Sequence, residues 1–356
     1  MTSTASSWDV VVAGVGARTP FGLTALQATM SARADRFAPR ESHMIDRHGE
    51  PIAMPRLASI GDHVTGLPRF VGLGGPSLTQ AAHPYLAAAG QGASPLPVFV
   101  ALPSSSRPGV DPKLASTLLP ALSARSRVPI DAARSKLFHA CRGGGVIAFD
   151  AAAQAITRGE IPAALVGGVD TYFDPDVLGH LDHELRLHGL RTENGFVPGE
   201  GAAFLLVASR AWLRQNGELA ELGRLTATAI EMEPHPYGSP EPCLAIGLTR
   251  AVRRALAAAS APPRRVAWML TDVANERHRV DEWQFARVRN DDGIAPDALH
   301  DQPLLRVGDV GAASAALLAT MAITRFQTGC APAPEALIAV SSDGPERGAL
   351  VIAEGR

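Results

Sequence analysis

Cys141 is the residue of this 356-residue chain whose surroundings best suit a nucleophile. It follows the apolar piece Leu137-Phe138 and precedes Gly143-Gly144-Gly145 and the alanine-rich run V-I-A-F-D-A-A-A-Q-A-I-T-R. A strand, a sharp turn and then a helix is how folds present a nucleophilic side chain, and the unpaired N–H groups and macrodipole of a helix start favour thiolate over thiol. The three glycines let a carbonyl approach the backbone, so nearby N–H groups can serve as an oxyanion hole. The chemistry predicted is attack of sulfur on a carbonyl carbon. The competing reading is a small buried core cysteine. His139, two residues earlier, shares the cysteine's face if the chain is extended there, which makes it a strained base.

Other groupings point less directly to chemistry. G-V-G-A-R-T (Gly14 to Thr19) follows an apolar run but lacks the third glycine of a dinucleotide turn and meets Pro20. His180, Asp182, His183 and His188 form the densest histidine cluster, yet nothing nearby completes a ligand set, so an exposed loop is expected. The polar run Asn275, Glu276, Arg277, Arg279, Asp281 and Glu282 reads as a solvated loop and helix start, with a pocket-facing site as the alternative. Cys141, Cys243 and Cys330 are odd in number, widely spaced and never C-x-x-C, which argues against a disulfide framework or a structural zinc. Neither metal nor cofactor is expected.

The elements that must position Cys141 stand out as apolar runs. Asp9 to Gly16, D-V-V-V-A-G-V-G, predicts a buried strand entering a turn, with a helix prepared by Pro20 and Gly22. The alanine-rich run from Gly145 predicts a helix buried on several sides, and Ile161 to Asp170 a second buried strand. Ala38 to Pro112, rich in proline and glycine, predicts strands and irregular connections that cover something. Thr171 to Asn194 reads as mobile, followed by the turn Gly195 to Gly201 and the strand Ala202 to Ala208. The C-terminal half repeats the plan with a strand at Val266 to Val273, a helix at Ala312 to Thr324 and a strand at Glu335 to Asp343. Helix, short connection, strand and terminal aspartate recur in order, which suggests a duplication with halves at 8–220 and 221–356.

Composition narrows the classes further. Apolar residues make up 46% and charged residues 19%, and the mean hydropathy is +0.07, so the chain can bury a core. Its 33 basic and 35 acidic residues are interspersed, leaving no footprint for nucleic acid. No apolar run approaches 18 residues and the N-terminus lacks a signal-peptide pattern, so no membrane role and a cytoplasmic location are expected. Lys113 and Lys136 are the only lysines, and nearly every positive charge is arginine.

Four segments, in order, resemble the β-ketoacyl synthases of the thiolase superfamily: D-V-V-V-A-G-V-G-A-R-T-P-F-G, H-A-C-R-G-G-G-V-I-A-F-D-A-A-A-Q-A-I, G-E-I-P-A-A-L-V-G-G-V-D and G-F-V-P-G-E-G-A-A. The resemblance implies a five-layered αβαβα α/β fold built from two duplicated halves. It also implies a homodimer, or a heterodimer with an active ketosynthase, and acyl groups delivered by acyl carrier protein or acyl-CoA. Cys141 falls on the family's acyl-accepting cysteine.

The departures lie in the C-terminal half. Family members that condense use two histidines to stabilise the enolate formed as malonyl thioester loses carbon dioxide. The matching segments here imply Ala274 or Asn275 at the first place, with His278 a short shift away, and Ala312 at the second. No histidine follows His300 and no lysine follows Lys136, so the second histidine and its companion lysine are absent. S-S-D-G-P-E-R-G keeps Gly344 where the family's C-terminal glycine loop contributes to the oxyanion hole. Acyl binding or transfer without standard condensation is therefore expected, as an acyltransferase of fatty acid or polyketide biosynthesis. The alternative is a non-catalytic subunit like a chain-length factor, which keeps the fold for its protein-protein surface.

Overall fold

The computed structural model describes residues 4–189, 191–259 and 265–356, so residues 1–3 of the N-terminal tail lie outside it. The apolar runs around Cys141 become strands β1 (Thr4–Arg18), β4 (Val98–Ala101), β5 (Lys136–Phe138), β6 (Ala163–Thr171) and β7 (Glu200–Ser209), with the hairpin β2 (Arg40–Ile45) and β3 (Pro51–Met54) set apart. The C-terminal half supplies β8 (Gly223–Met232), β9 (Val266–Thr271), β10 (Ile294–Asp301), β11 (Glu335–Ser341) and β12 (Glu346–Glu354). The helices are α1 (Ala25–Arg33), α2 (Gly66–Ala89), α3 (Leu114–Ser126), α4 (Cys141–Thr157), α5 (Pro175–His183), α6 (Arg210–Gln215), α7 (Ile246–Ala259), α8 (Arg277–Val288), α9 (Leu304–Val307) and α10 (Ser314–Gln327).

Strand order runs β10-β9-β11-β12-β8-β1-β7-β6-β4-β5, with β8 and β1 antiparallel at the centre. Counted outward from that seam, each half places its own first, fifth, fourth, second and third strand in the same sequence. β6 is buried along its whole length, as a strand covered on both faces must be. Alternate residues on each strand then feed different layers. Val166, Leu205 and Val207 of the first half and Trp268, Ile338 and Leu350 of the second all pack on the middle helices α4 and α10. The opposite face of the first half packs on α2 and α3, and that of the second half on α7 and α8. The result is a five-layered αβαβα arrangement of the thiolase type, in which α4 and α10 are wrapped in protein. No helix among the described residues is long and apolar enough to cross a membrane.

Two sequence readings need correction. The Ala38 to Pro112 region contains the 24-residue helix α2, whose Gly74, Gly75, Pro76 and Pro84 read as breakers. Those glycines are there for packing: a Cβ on Gly75 would meet Arg125 Cγ at 2.5 Å and one on Gly74 would meet Leu122 Cδ2 at 2.9 Å, so α3 lies close against them. The stretch Thr171 to Asn194, read as mobile, carries α5, with Asp174 capping its first turn through Asp176 N–H. The turn Gly14 to Thr19 is no dinucleotide loop. It continues β1, and a Cβ on Gly14 or Gly16 would fall 2.2 and 2.1 Å from the carbonyl oxygens of Ala81 and Ser77 in α2.

Candidate active site

The short parallel strand β5 ends at Phe138, and three residues later Cys141 opens α4 with a φ of +49°. This left-handed conformation is costly for a residue with a Cβ and marks a position held by its surroundings. Cys141 is partly open and lines a cleft of about 580 Å³ together with Ser104, Arg107, His139, His180, Arg186, Tyr237, Asp343, Gly344 and Glu346. The end of the Ala38 to Pro112 region thus does reach the pocket, through Ser104 to Pro108.

The electrostatics differ from the sequence expectation. Burial pushes the Cys141 thiol up to about 12; Asp170 and Asp343 add to that, while Arg142 and Arg107 oppose it. The sulfur rests as a thiol, because desolvation outweighs the two arginines beside it. The backbone groups proposed for the oxyanion hole are also engaged. Cys141 N–H donates to Leu102 O at 3.2 Å, Gly144 N–H to Ala140 O at 3.0 Å, and Gly143 N–H to Ser342 Oγ at 2.9 Å. His139 contacts Pro103 O through Nδ1 at 3.1 Å, a bond to the backbone in place of one to the sulfur.

From the cleft wall inward runs a network of arginines and acids, open at Asp343 and buried at Arg142, Arg279 and Asp309. Arg142, wholly buried, pairs with Asp309 at 2.6 Å and Asp343 at 3.1 Å and reaches the Tyr172 hydroxyl at 3.3 Å. Arg279 pairs with the same Asp309 at 2.6 Å and with Asp272 at 3.5 Å. Arg186 joins Glu276 at 2.7 Å to Asp343 at 2.8 Å, and Arg107 holds Asp170 at 2.7 Å. Burial pushes the carboxyl of Asp309 up, but Arg142 and Arg279 more than offset it and hold the group well below the usual carboxylate range. Asp343 is lowered likewise, by Arg142 and Arg186 against its burial. Asp272 moves the other way, since burial outweighs Arg279 and Arg142.

Of the residues singled out in the sequence, Gly344 shares the cleft with Cys141. Asn275 does not line it; its Nδ2 donates to Glu193 O at 2.9 Å and lies 3.1 Å from His188 Nδ1, tying a surface loop. His278 is half-buried and stacks on Tyr237 at 4.6 Å, with burial lowering it to about 4. Ala274 is buried among the aromatic residues Tyr172, Phe173 and Phe196, and Ala312 is buried with its N–H donated to Asp170 Oδ2 at 2.8 Å. The polar run is not a solvated loop, because Glu276, Arg279 and Glu282 are buried while Asn275 and Arg277 face water. The histidine cluster diverges: His180 lines the cleft, Asp182 accepts Arg47 N–H at 2.8 Å, and His183 and His188 are exposed.

Sequence reasoning missed Arg107, Arg142, Arg186 and Asp309 as site residues. One signal was available in the repeat, since the terminal aspartates of its two matched units, Asp170 and Asp343, are the acids that meet the arginines beside Cys141.

Residues 139–211 match the family model "Beta-ketoacyl synthase, N-terminal domain". A search of curated proteins returns no match. Among solved structures, the chain is similar to the ketosynthase from module 6 of the bacillaene synthase of Bacillus subtilis 168, at a TM-score of 0.79 and 14% identity over 98% of this chain and 72% of that one. It is similar to the ishigamide ketosynthase/chain length factor at 0.78 and 16%, covering 99% of this chain and 100% of the other. A third, at 0.75 and 15% over 99% and 100%, is a type II PKS acyl-carrier protein in complex with its ketosynthase bound to the hexaketide. At these identities the likeness is one of fold.

Proposed function

Taking the chain as a ketosynthase-like protein of the thiolase superfamily, we propose that it binds acyl thioesters in the Cys141 cleft and accepts the acyl group on that sulfur, without decarboxylative condensation. The observation that carries this reading is the position of Cys141, at a left-handed helix start that opens on a cleft of about 580 Å³. In the transfer, sulfur attacks the thioester carbonyl, the bond to the carrier sulfur breaks, and the Cys141 proton ends on the departing thiol. Gly344, across the cleft, is the backbone assigned to the carbonyl oxygen, since the N–H groups of Cys141, Gly143 and Gly144 are spent. The thioester arrives on acyl carrier protein or coenzyme A, in the cytoplasm, with the chain paired to a second copy or to an active ketosynthase.

Condensation needs a group that stabilises an enolate, and the positions that the resemblance sets against the family's histidines carry Ala274 or Asn275 and Ala312, which supports a reading without it. Transfer needs less, but a thiol pushed up to about 12 makes it slow. Incubation with acyl-loaded carrier protein, read by intact mass, is expected to give one acyl adduct that is lost in Cys141→Ala. Its rate should rise about tenfold per pH unit between pH 7 and 10, following the thiolate fraction. The second reading, a chain-length-factor-like subunit, draws on the high thiol and the occupied N–H groups. It would be favoured by no adduct at any pH together with stable co-purification with an active ketosynthase.

A further inference from the structure

In the second half, between the end of β8, the start of α7 and α8, three donors from separate segments converge. Glu233 follows β8, Cys243 lies in the connection before α7, and Glu282 sits in α8; one ligand atom from each lies within 4.8 Å of the others. Glu233 and Glu282 are both buried. Glu233 Oε2 accepts Gly247 N–H at 2.7 Å, whereas Oε1, shielded from solvent, has no hydrogen-bond partner among the described residues. An orphaned buried carboxylate oxygen is expensive, and the structures that keep one usually supply a cation or water.

The local charge leads to the same conclusion. Arg347 pairs with Glu282 through Nε, and its Nη1 donates to the carbonyls of Ser342, Gly344 and Glu346. Among the described residues Glu282 thus has an arginine as its ion-pair partner and Glu233 has none. A thiol with two carboxylates suits zinc better than calcium or magnesium, which take oxygen-only shells. Tetrahedral zinc with bonds of about 2.0–2.3 Å spaces its ligands roughly 3.5 Å apart, so modest side-chain rotations close this set. Cys243 is partly exposed, which gives an ion its entry and leaves a fourth position for water.

We infer that Glu233, Cys243 and Glu282 form a binding site for a single zinc ion, which fixes the segment between β8 and α7. That segment carries Tyr237, which lines the Cys141 cleft and covers Arg186 at 4.4 Å, so the ion would brace one wall of the pocket. The expectation of no structural zinc rested on the missing C-x-x-C pattern. Donors spread from residue 233 to residue 282 leave no such pattern in a sequence.

The test uses the full chain, stripped with chelator and titrated with Zn(II) and with Co(II) as a spectroscopic stand-in. The inference expects one metal per chain and a near-ultraviolet sulfur-to-cobalt charge-transfer band. The band should vanish in Cys243→Ala and survive in Cys141→Ala and Cys330→Ala. Affinity should fall by at least about a hundredfold in Cys243→Ala, since even outer partners of metal sites cost about 10- to 100-fold. Glu233→Gln, checked for folding by circular dichroism, should keep the band and weaken binding. Absence of stoichiometric metal, or a band that depends on Cys141 or Cys330, overturns the inference.

Discussion

The two halves each send an alanine-rich helix into the middle layer, and each enters it through a left-handed residue, Cys141 at a φ of +49° as the first residue of α4 and Gly311 at +50° in the turn that leads into α10. In the first half the side chain is kept, at a cost in backbone strain, and lines a cleft. In the second half it is deleted, and a Cβ there would fall 2.1 Å from Asp170 Oδ2. The backbone freed at Gly311 brings Asp309 under Arg142 and Arg279 and lends Ala312 N–H to Asp170. One helix start presents a sulfur and the other closes an ion network. The two corresponding turns thus do different work: one sets a sulfur in a cleft and the other fastens buried charges.

The largest expected effect tests the fastening. Asp309→Ala leaves Arg142 and Arg279 facing each other without their shared carboxylate, in a site closed to water. Breaking a buried pair in this way costs about 3–5 kcal/mol, whereas the intact pair adds little over a well-packed apolar core. The urea midpoint should fall accordingly. A midpoint within experimental error of the parent would mean that the network is open to solvent. Next comes Gly311→Ala, where a positive φ and the approach of Asp170 act together, for an expected loss of about 2–3 kcal/mol. Equal tolerance of alanine at both helix starts would remove the contrast drawn between them.

The same contrast explains what could be read from the sequence. β1, β6, α4 and α10 are legible because their burial writes continuous apolar or alanine-rich runs, although β1 begins five residues and α4 four residues before the expected starts. α2 was illegible because its Gly74 and Gly75 answer to the close approach of α3, a tertiary cause that local propensity reads as breakage. Cys141 was singled out from its neighbours and lines a cleft, but its thiol is pushed up where the helix start led to the opposite expectation, since desolvation depends on what the fold packs around it. The arginine network escaped because its partners are remote: Arg142 meets Asp309 and Asp343 across 167 and 201 residues. The scarcity of lysine hinted that the buried cations had to be arginine, and the repeat's terminal aspartates marked two of their partners.

The smallest effect is the most discriminating for the first half. Cys141→Gly removes the Cβ from the left-handed region, where it costs roughly 1–2 kcal/mol, and adds the backbone freedom of glycine, worth about 0.5–1 kcal/mol in the opposite direction. The net expectation is a gain of about 0.5–1 kcal/mol with loss of all acyl adduct, the trade found where strain is kept for a functional side chain. The pH dependence sharpens it. The thiol is raised from 9.0 to about 12 by burial, so its contribution to stability is full below pH 9 and is lost as pH climbs toward 12. The glycine variant lacks that group, and its advantage over the parent should widen across the same interval. If the advantage stays constant from pH 8 to 11, the sulfur is better hydrated than its place in the cleft implies, and slow acylation would need another cause.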